Sequence, residues 1–230
     1  MSFRRKYLHR DNRFIILFLS LLATVVMPAF SIVIGVDLTE WVFAICFSGI
    51  VIAGFIWTSS ESKMQRYIGA PLGILAFISL WARTGLHSEN YGLYLVFTIT
   101  AVVFFNFLAV TLLSTIIKSK EVNVGIIFGS IAGYLIIGIL GALWMNLLDL
   151  VYPYSFSTTE PQLHNYDYFY FSFVSITTVG FGDILPQTPP AKSVVVLHTL
   201  IGQLYLTILV ALLVGQFLSG NANPKKLKDS

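Results

Sequence analysis

Charge is what this chain has least of. Only 11% of its 230 residues are Asp, Glu, Lys or Arg, while 56% are hydrophobic, and the mean hydropathy is +0.80. A soluble domain carries about a quarter charged residues. So few charges cannot cover a water-soluble surface of this size, which leaves an integral membrane protein. Cysteine is scarcer still. Cys46 stands alone, so no intrachain disulfide forms, and its apolar neighbours read it as a small buried or lipid-facing side chain. The chain also lacks HExxH, a membrane-embedded Ser–His pair and paired carboxylates within its apolar runs, which leaves an intramembrane enzyme or transporter without support. The pI near 8.9 does not argue for nucleic acid, because the positive charge has a topological explanation.

A helix needs about 20 residues to cross the hydrocarbon core. Six stretches have no Asp, Glu, Lys or Arg: Phe14–Ile34, Trp41–Trp57, Tyr67–Ala82, Tyr91–Ile117, Val122–Leu148 and Ser193–Leu218. The third is short and contains Pro71, which this spacing places near the helix start, where a missing N–H costs little. The first is too long for a signal-peptide core and lacks a clear small-residue cleavage site, so it reads as a retained helix. With the N-terminus in the cytoplasm and every stretch crossing, all but two of the 14 Lys and Arg residues fall inside, and only Arg83 and Lys192 fall outside. That bias supports six crossings with both termini cytoplasmic.

The connection from Asp149 to Lys192 leaves and returns on the outer side. It holds a polar stretch, a short aromatic run from Tyr166 to Ile176, and then Thr177-Thr178-Val179-Gly180-Phe181-Gly182-Asp183. A half-crossing helix followed by a glycine-containing extended segment reads as a re-entrant loop. Non-helical backbone is tolerated at that depth only where it is buried in protein or lines a water-filled path.

Thr178-Val179-Gly180-Phe181-Gly182 matches the potassium-channel signature, with phenylalanine where tyrosine is commoner. From about Val122 to Leu218 the chain resembles the pore domain of tetrameric potassium channels, especially the small prokaryotic ones. The resemblance implies an all-α membrane protein that assembles as a homotetramer around a central pore. Backbone carbonyls of four loops, with the Thr178 hydroxyl innermost, then replace the hydration shell of K+ at Thr178, Val179, Gly180 and Phe181. Gly180 and Gly182 supply the left-handed backbone that alternate positions require. Val179 and Phe181 are expected to wedge the loop against the pore helix. Tyr170 and Phe171 match the paired aromatics of that helix, usually tryptophans. Val174 matches a position that holds glutamate in some bacterial channels, Thr177 packs behind the filter, and Asp183 lies just outside it. With phenylalanine at both 181 and 171, a customary hydrogen bond becomes an apolar contact, and Tyr170 to Asp183 is the strut left.

Gly202 matches the hinge glycine of the inner helix. Gln203, Leu206, Val210, Val214 and Leu218 recur at spacings of three and four, a stripe that reads as the cavity and gate lining, or else as packing on the fifth helix. His198 reads as packing. Asp149, Glu160, Asp167 and Asp183 read as an acidic outer mouth that concentrates cations. From Tyr91 to Ile117 there is no Lys or Arg. Each charge moved contributes only about 2.3 kcal/mol per 100 mV, so this helix cannot sense voltage steeply.

The domain reading is a basic cytoplasmic start at 1–13, a four-helix membrane domain at 14–120, a pore domain at 121–219 and a short basic tail at 220–230. The four-helix domain has a voltage sensor's helix count without its arginines and reads as a packing collar. The function expected is passive, potassium-selective conduction in the inner or plasma membrane, with no enzymatic activity and no cofactor beyond K+ in the filter. The alternative is an effector channel gated by a cytosolic anionic ligand (nucleotide, oligonucleotide or lipid) that depolarises or arrests the cell. Arg4, Arg5, Lys6, Lys225, Lys226 and Lys228 are the candidate anion sites, and their other reading is as topology signals beside anionic lipid headgroups. Sequence-specific nucleic-acid readout is not expected.

A gate closed by dewetting at the apolar stripe gives a direct test. Val214→Ser raises the resting leak in single-channel recordings. An unchanged leak moves the gate away from this stripe.

Overall fold

An apolar segment in lipid must satisfy its backbone internally, and a helix does so within one stretch of chain. The computed structural model describes residues 13–26, 39–61, 63–85, 90–119, 123–157 and 163–221. In order they form α1 (Arg13–Val26), α2 (Thr39–Glu61), α3 (Lys63–Gly85), α4 (Tyr91–Ile117), α5 (Val124–Val151), β1 (Phe156–Ser157), α6 (Asn165–Ile176), β2 (Leu185–Pro186) and α7 (Pro189–Asn221). Among the described residues, four helices are long and apolar enough to cross a membrane: Gln65–Gly85, Tyr91–Ile117, Val124–Val151 and Pro189–Gly215. Arg13–Val26 and Trp41–Phe55 are shorter apolar helices. Arg4, Arg5, Lys6, Glu160, Lys225, Lys226 and Lys228 lie outside the described residues, as does the side chain of Leu218.

Helix boundaries follow local chemistry more closely than charge-free windows do. Pro71 is not near a helix start but inside α3, because the helix runs back through Arg66 to Lys63. Long basic side chains can reach water from the ends of a span, so charge does not end the helix there. The side chain of Asn123 accepts from the Ile126 N–H at 2.9 Å and starts α5 at Val124 rather than Val122. The Thr188 hydroxyl accepts from the Ala191 N–H at 3.3 Å, and Pro189 opens α7 where its missing N–H is harmless.

Consecutive helices pack as neighbours from α2 through α5, and α5 also carries α6 and α7. Phe47, Phe104, Phe105, Leu108 and Leu112 centre the buried core among α2, α4 and α5. Phe47 meets Phe105 and Phe97 at ring-centroid distances of 5.3 and 5.6 Å. α1 reaches this core through Phe18, whose ring lies 5.4 Å from that of Phe128.

α5 works as a row of seats. Gly129 receives the Phe14 ring, Gly133 the Tyr205 ring, Gly138 the Phe173 ring and Gly141 the His198 imidazole, each so close that a methyl group would collide. Small residues let helices approach closely where lipid gives no hydrophobic drive for association. The inner helix and the pore helix therefore dock on one ridge. Gly141→Ala is expected to lower the thermal midpoint in detergent, at a cost of about 1–3 kcal/mol for overpacking. Gly85→Ala, where an added methyl meets nothing within 4 Å, leaves it unchanged. Equal midpoints for the two variants would contradict this seating.

Candidate ion-conducting site

α6 is a short helix of 12 residues between α5 and α7, and both of its ends are tied down. Its start is set by the Asp167 carboxylate, which accepts from the His164 N–H at 2.7 Å and places negative charge at the helix's positive end. A helix C-terminus leaves four carbonyls without intrahelical partners. Here all four are taken. Phe173 O accepts from the Thr177 N–H and hydroxyl, at 3.0 and 2.7 Å. Val174 O accepts from the Val179 N–H at 3.1 Å, and Ser175 O from the Thr178 N–H at 3.1 Å. Ile176 O accepts from Gln203 Nε2 at 2.8 Å and from the Tyr134 hydroxyl at 3.2 Å. The last carbonyl is thus held by side chains of α7 and α5.

Beyond this end the chain adopts the alternation that a carbonyl-lined path requires. Thr178, Gly180 and Gly182 have φ of 62°, 57° and 78°. The glycines take this conformation freely. A β-branched threonine does not, so Thr178 is a strained position, and a strained residue in a functional segment is evidence about that segment. The expectation had assigned left-handed backbone only to the two glycines. The bonds that Thr178 and Val179 donate back into the last turn of α6 hold the strained geometry.

Within one chain, Val179 and Phe181 are not covered by the pore helix that they were expected to wedge against. Val179 is 53% exposed and Phe181 70% exposed within one chain. Phe171 is buried elsewhere, edge-on to Phe156 at 5.8 Å. Loop backing comes instead from the Tyr170 hydroxyl, which donates to Asp183 Oδ2 at 2.6 Å. Val174 is half-buried on α6, and Thr177 is exposed at its C-cap.

The outer carboxylates have structural duties that a charge count does not show. Asp149 accepts from the Ser155 N–H at 2.8 Å and the Tyr168 hydroxyl at 2.6 Å. It anchors the loop that leads into β1. β1 then pairs with β2 (Phe156 opposite Pro186, Ser157 opposite Leu185), so the segments before and after the filter-like loop are stitched together.

α7 runs without interruption through Gly202. Gly202 is buried because a methyl there would lie 3.1 Å from the Ile176 side chain, so the structure gives this glycine a close-approach role rather than a visible hinge. Gln203 turns to Ile176 O, which separates it from an open cavity lining. Leu206 is half-buried, while Val210 and Val214 are exposed. The face of α7 that packs on the core is a different one, carrying Tyr205, Leu209 and Leu213. The Tyr205 hydroxyl donates to Ser130 O at 2.7 Å. His198 is buried against the pore helix, with Nε2 2.9 Å from the Ser172 hydroxyl, which itself donates to Gly138 O at 2.6 Å. A hydroxyl has one proton to give, so His198 is the donor in its pair.

Sequence reasoning missed the Gln203–Tyr134 clamp. The available signal was an amide in the apolar middle of the helix, which in a membrane requires a partner.

Residues 124–219 match the family described as an ion channel. A stretch of 45 residues is 44% identical to a protein named as a hyperpolarization-activated voltage-gated potassium channel of Methanocaldococcus jannaschii. Residues 124–219 are thus similar to an ion channel family, and part of the chain is similar to a potassium channel. The stretch shared with the archaeal channel covers 19% of this chain and 22% of that protein. No solved structure matches the chain. The matched stretch begins at the first residue of α5 and contains α6, the alternating loop and almost all of α7.

Within the matched stretch, the Ile176 clamp makes a measurable prediction. Gln203→Leu removes the shorter of the two donors to Ile176 O and is expected to destabilise the fold by about 1–3 kcal/mol. Gln203→Glu, protonated in this apolar setting, retains a donor and recovers part of the loss. Equal thermal midpoints for wild type and Gln203→Leu would contradict the clamp.

Proposed function

We propose that this chain is one subunit of a homotetrameric channel that passes potassium selectively and passively through the cell membrane. The observation that carries the reading is the alternation of left-handed backbone at Thr178, Gly180 and Gly182, in a loop whose side chains are exposed in the single chain. Such a loop turns successive carbonyls toward one side. One copy supplies one wall, and a cage around an ion requires several copies related by rotation, which the family resemblance sets at four. Val179 and Phe181 then find cover in neighbouring copies. α7 fits this assembly, because only 17% of its spanning window is buried within the chain, against 61% for α5.

On this reading Thr178, Val179, Gly180 and Phe181 coordinate K+, and Tyr170, Phe171, Val174, Thr177 and Asp183 support them. No catalytic residue and no further cofactor are assigned. α1 and α2 complete six crossings with both termini cytoplasmic, and residues 14–120 surround the pore domain at 121–219. α4 carries no Lys or Arg, so steep voltage gating through it is not part of the proposal. Leu206, Val210, Val214 and Leu218 line the inner path.

Flux from proteoliposomes tests the proposal. The purified protein is expected to pass K+ with strong preference over Na+ and to weigh as four chains by native mass spectrometry. Gly180→Ala is expected to abolish selective flux. A Cβ in left-handed backbone costs about 1–2 kcal/mol per residue, and the symmetric assembly repeats that cost in every chain. Equal permeability to Na+ and K+ in the unmutated protein would refute the reading.

A further inference from the structure

The four-helix unit has a point of contact with the pore helix that a passive collar does not require. The first half of α6 is met directly by α2 and α4, and α3 reaches the same junction through α4. Phe43 of α2 lies edge-on to Phe169 of α6, with ring centroids 5.5 Å apart. Arg83, in the last turn of α3, holds its guanidinium carbon 4.3 Å from the centre of the Tyr94 ring of α4. The Tyr94 hydroxyl donates to Oδ1 of Asn165, the first residue of α6, and accepts from Nδ2 of Asn146 on α5. Phe43, Arg83, Tyr94, Asn146, Asn165 and Phe169 together surround a small cavity. The phenol oxygen thus uses both its donor and its acceptor capacity in one junction.

Each part of this junction has an energetic reason to stay closed. Asn146 is buried on a mostly apolar helix, and an amide there is costly without a partner. The guanidinium over the Tyr94 ring is attracted to its negative face. α6 has 12 residues and is therefore about 18 Å long. Its far end carries the carbonyls that hold Thr178 and Val179. A stiff helix of that length transmits a tilt at Asn165 to the loop at its other end.

We propose that the four-helix unit braces the filter rather than merely surrounding it, with Tyr94, Asn146 and Asn165 as positioning residues for ion selectivity. The brace enters at the start of the pore helix, and the clamp on Ile176 O holds its end. The inference rests on the potassium-channel reading above, so the unmutated protein is measured first, and a failure to select K+ there defeats that reading rather than this one.

The test compares variants reconstituted as tetramers, with K+ and Na+ permeability read from reversal potentials. Tyr94→Phe keeps the ring under Arg83 and deletes only the hydroxyl. It is expected to lower the K+ to Na+ permeability ratio at least about twofold, the low end of what losing one buried hydrogen bond gives. Ser48→Ala serves as the control. It deletes a hydroxyl that accepts from Trp81 Nε1 at 3.0 Å within the same four-helix unit but away from α6, and it is expected to leave the ratio unchanged. Should Tyr94→Phe fail to assemble, Asn165→Asp, which keeps the acceptor, is expected to retain selectivity while Asn165→Leu loses it. An unaltered ratio in assembled Tyr94→Phe, an equal drop in Ser48→Ala, or indistinguishable Asn165 variants would each overturn the proposal.

Discussion

Backbone that forms no helical hydrogen bonds is the most expensive thing a membrane protein can hold at depth. Residues 178 to 184 leave the helical pattern after the Thr177 cap, and the surrounding parts of α5, α6 and α7 are organised around keeping them in place. The loop has no sheet or helix of its own. Its geometry is imposed from the two sides: by the last turn of α6, which accepts the Thr178 and Val179 N–H groups, and by the Tyr170–Asp183 bond. Thr178 shows the strength of the constraint, because a β-branched residue is held at φ of 62°.

Holding the loop in turn requires holding α6, and α6 is too short to be stable alone. Its C-terminal carbonyl at Ile176 is fastened by Gln203 and Tyr134. Its middle is fastened through Ser172, which links Gly138 O to His198. Its start meets Tyr94. Each link is a polar side chain inside an apolar helix, where an unmade hydrogen bond is penalised more than it is in water. Gly138 and Gly141 make the arrangement geometrically feasible, because ring side chains can approach the α5 backbone only where no Cβ intervenes.

Much of this was legible in the sequence, and the reasons differ by feature. Four long apolar helices were readable from missing charge, because a charge in lipid is costly whatever the tertiary contacts, whereas the first two of the six expected spans correspond to shorter apolar helices among the described residues. The short aromatic run from Tyr166 predicted a helix that the structure starts one residue earlier, at Asn165. The Tyr170–Asp183 pair was readable because two substitutions elsewhere left one polar strut. What was not legible depends on proximity between distant segments. Gly202 suggested a hinge, yet its neighbour is Ile176, which sequence spacing cannot show. Gln203 fitted a helical stripe, but its amide turns toward a carbonyl 27 residues away. Asp149 counted as one more outer charge, whereas Ser155 and Tyr168 both donate to it. Pro71 misplaced a helix boundary because the basic side chains before it were read as ends.

The central claim is that four copies of the 178–182 loop form one stack of ion sites on a common axis. An experimental density map of the purified protein, recorded with Tl+ in place of K+, tests it most directly. The account predicts a fourfold particle with Tl+ peaks in line between Thr178 and Gly182, each surrounded by backbone oxygens. A particle without fourfold symmetry, or an axis with no ordered ion between those residues, would contradict it.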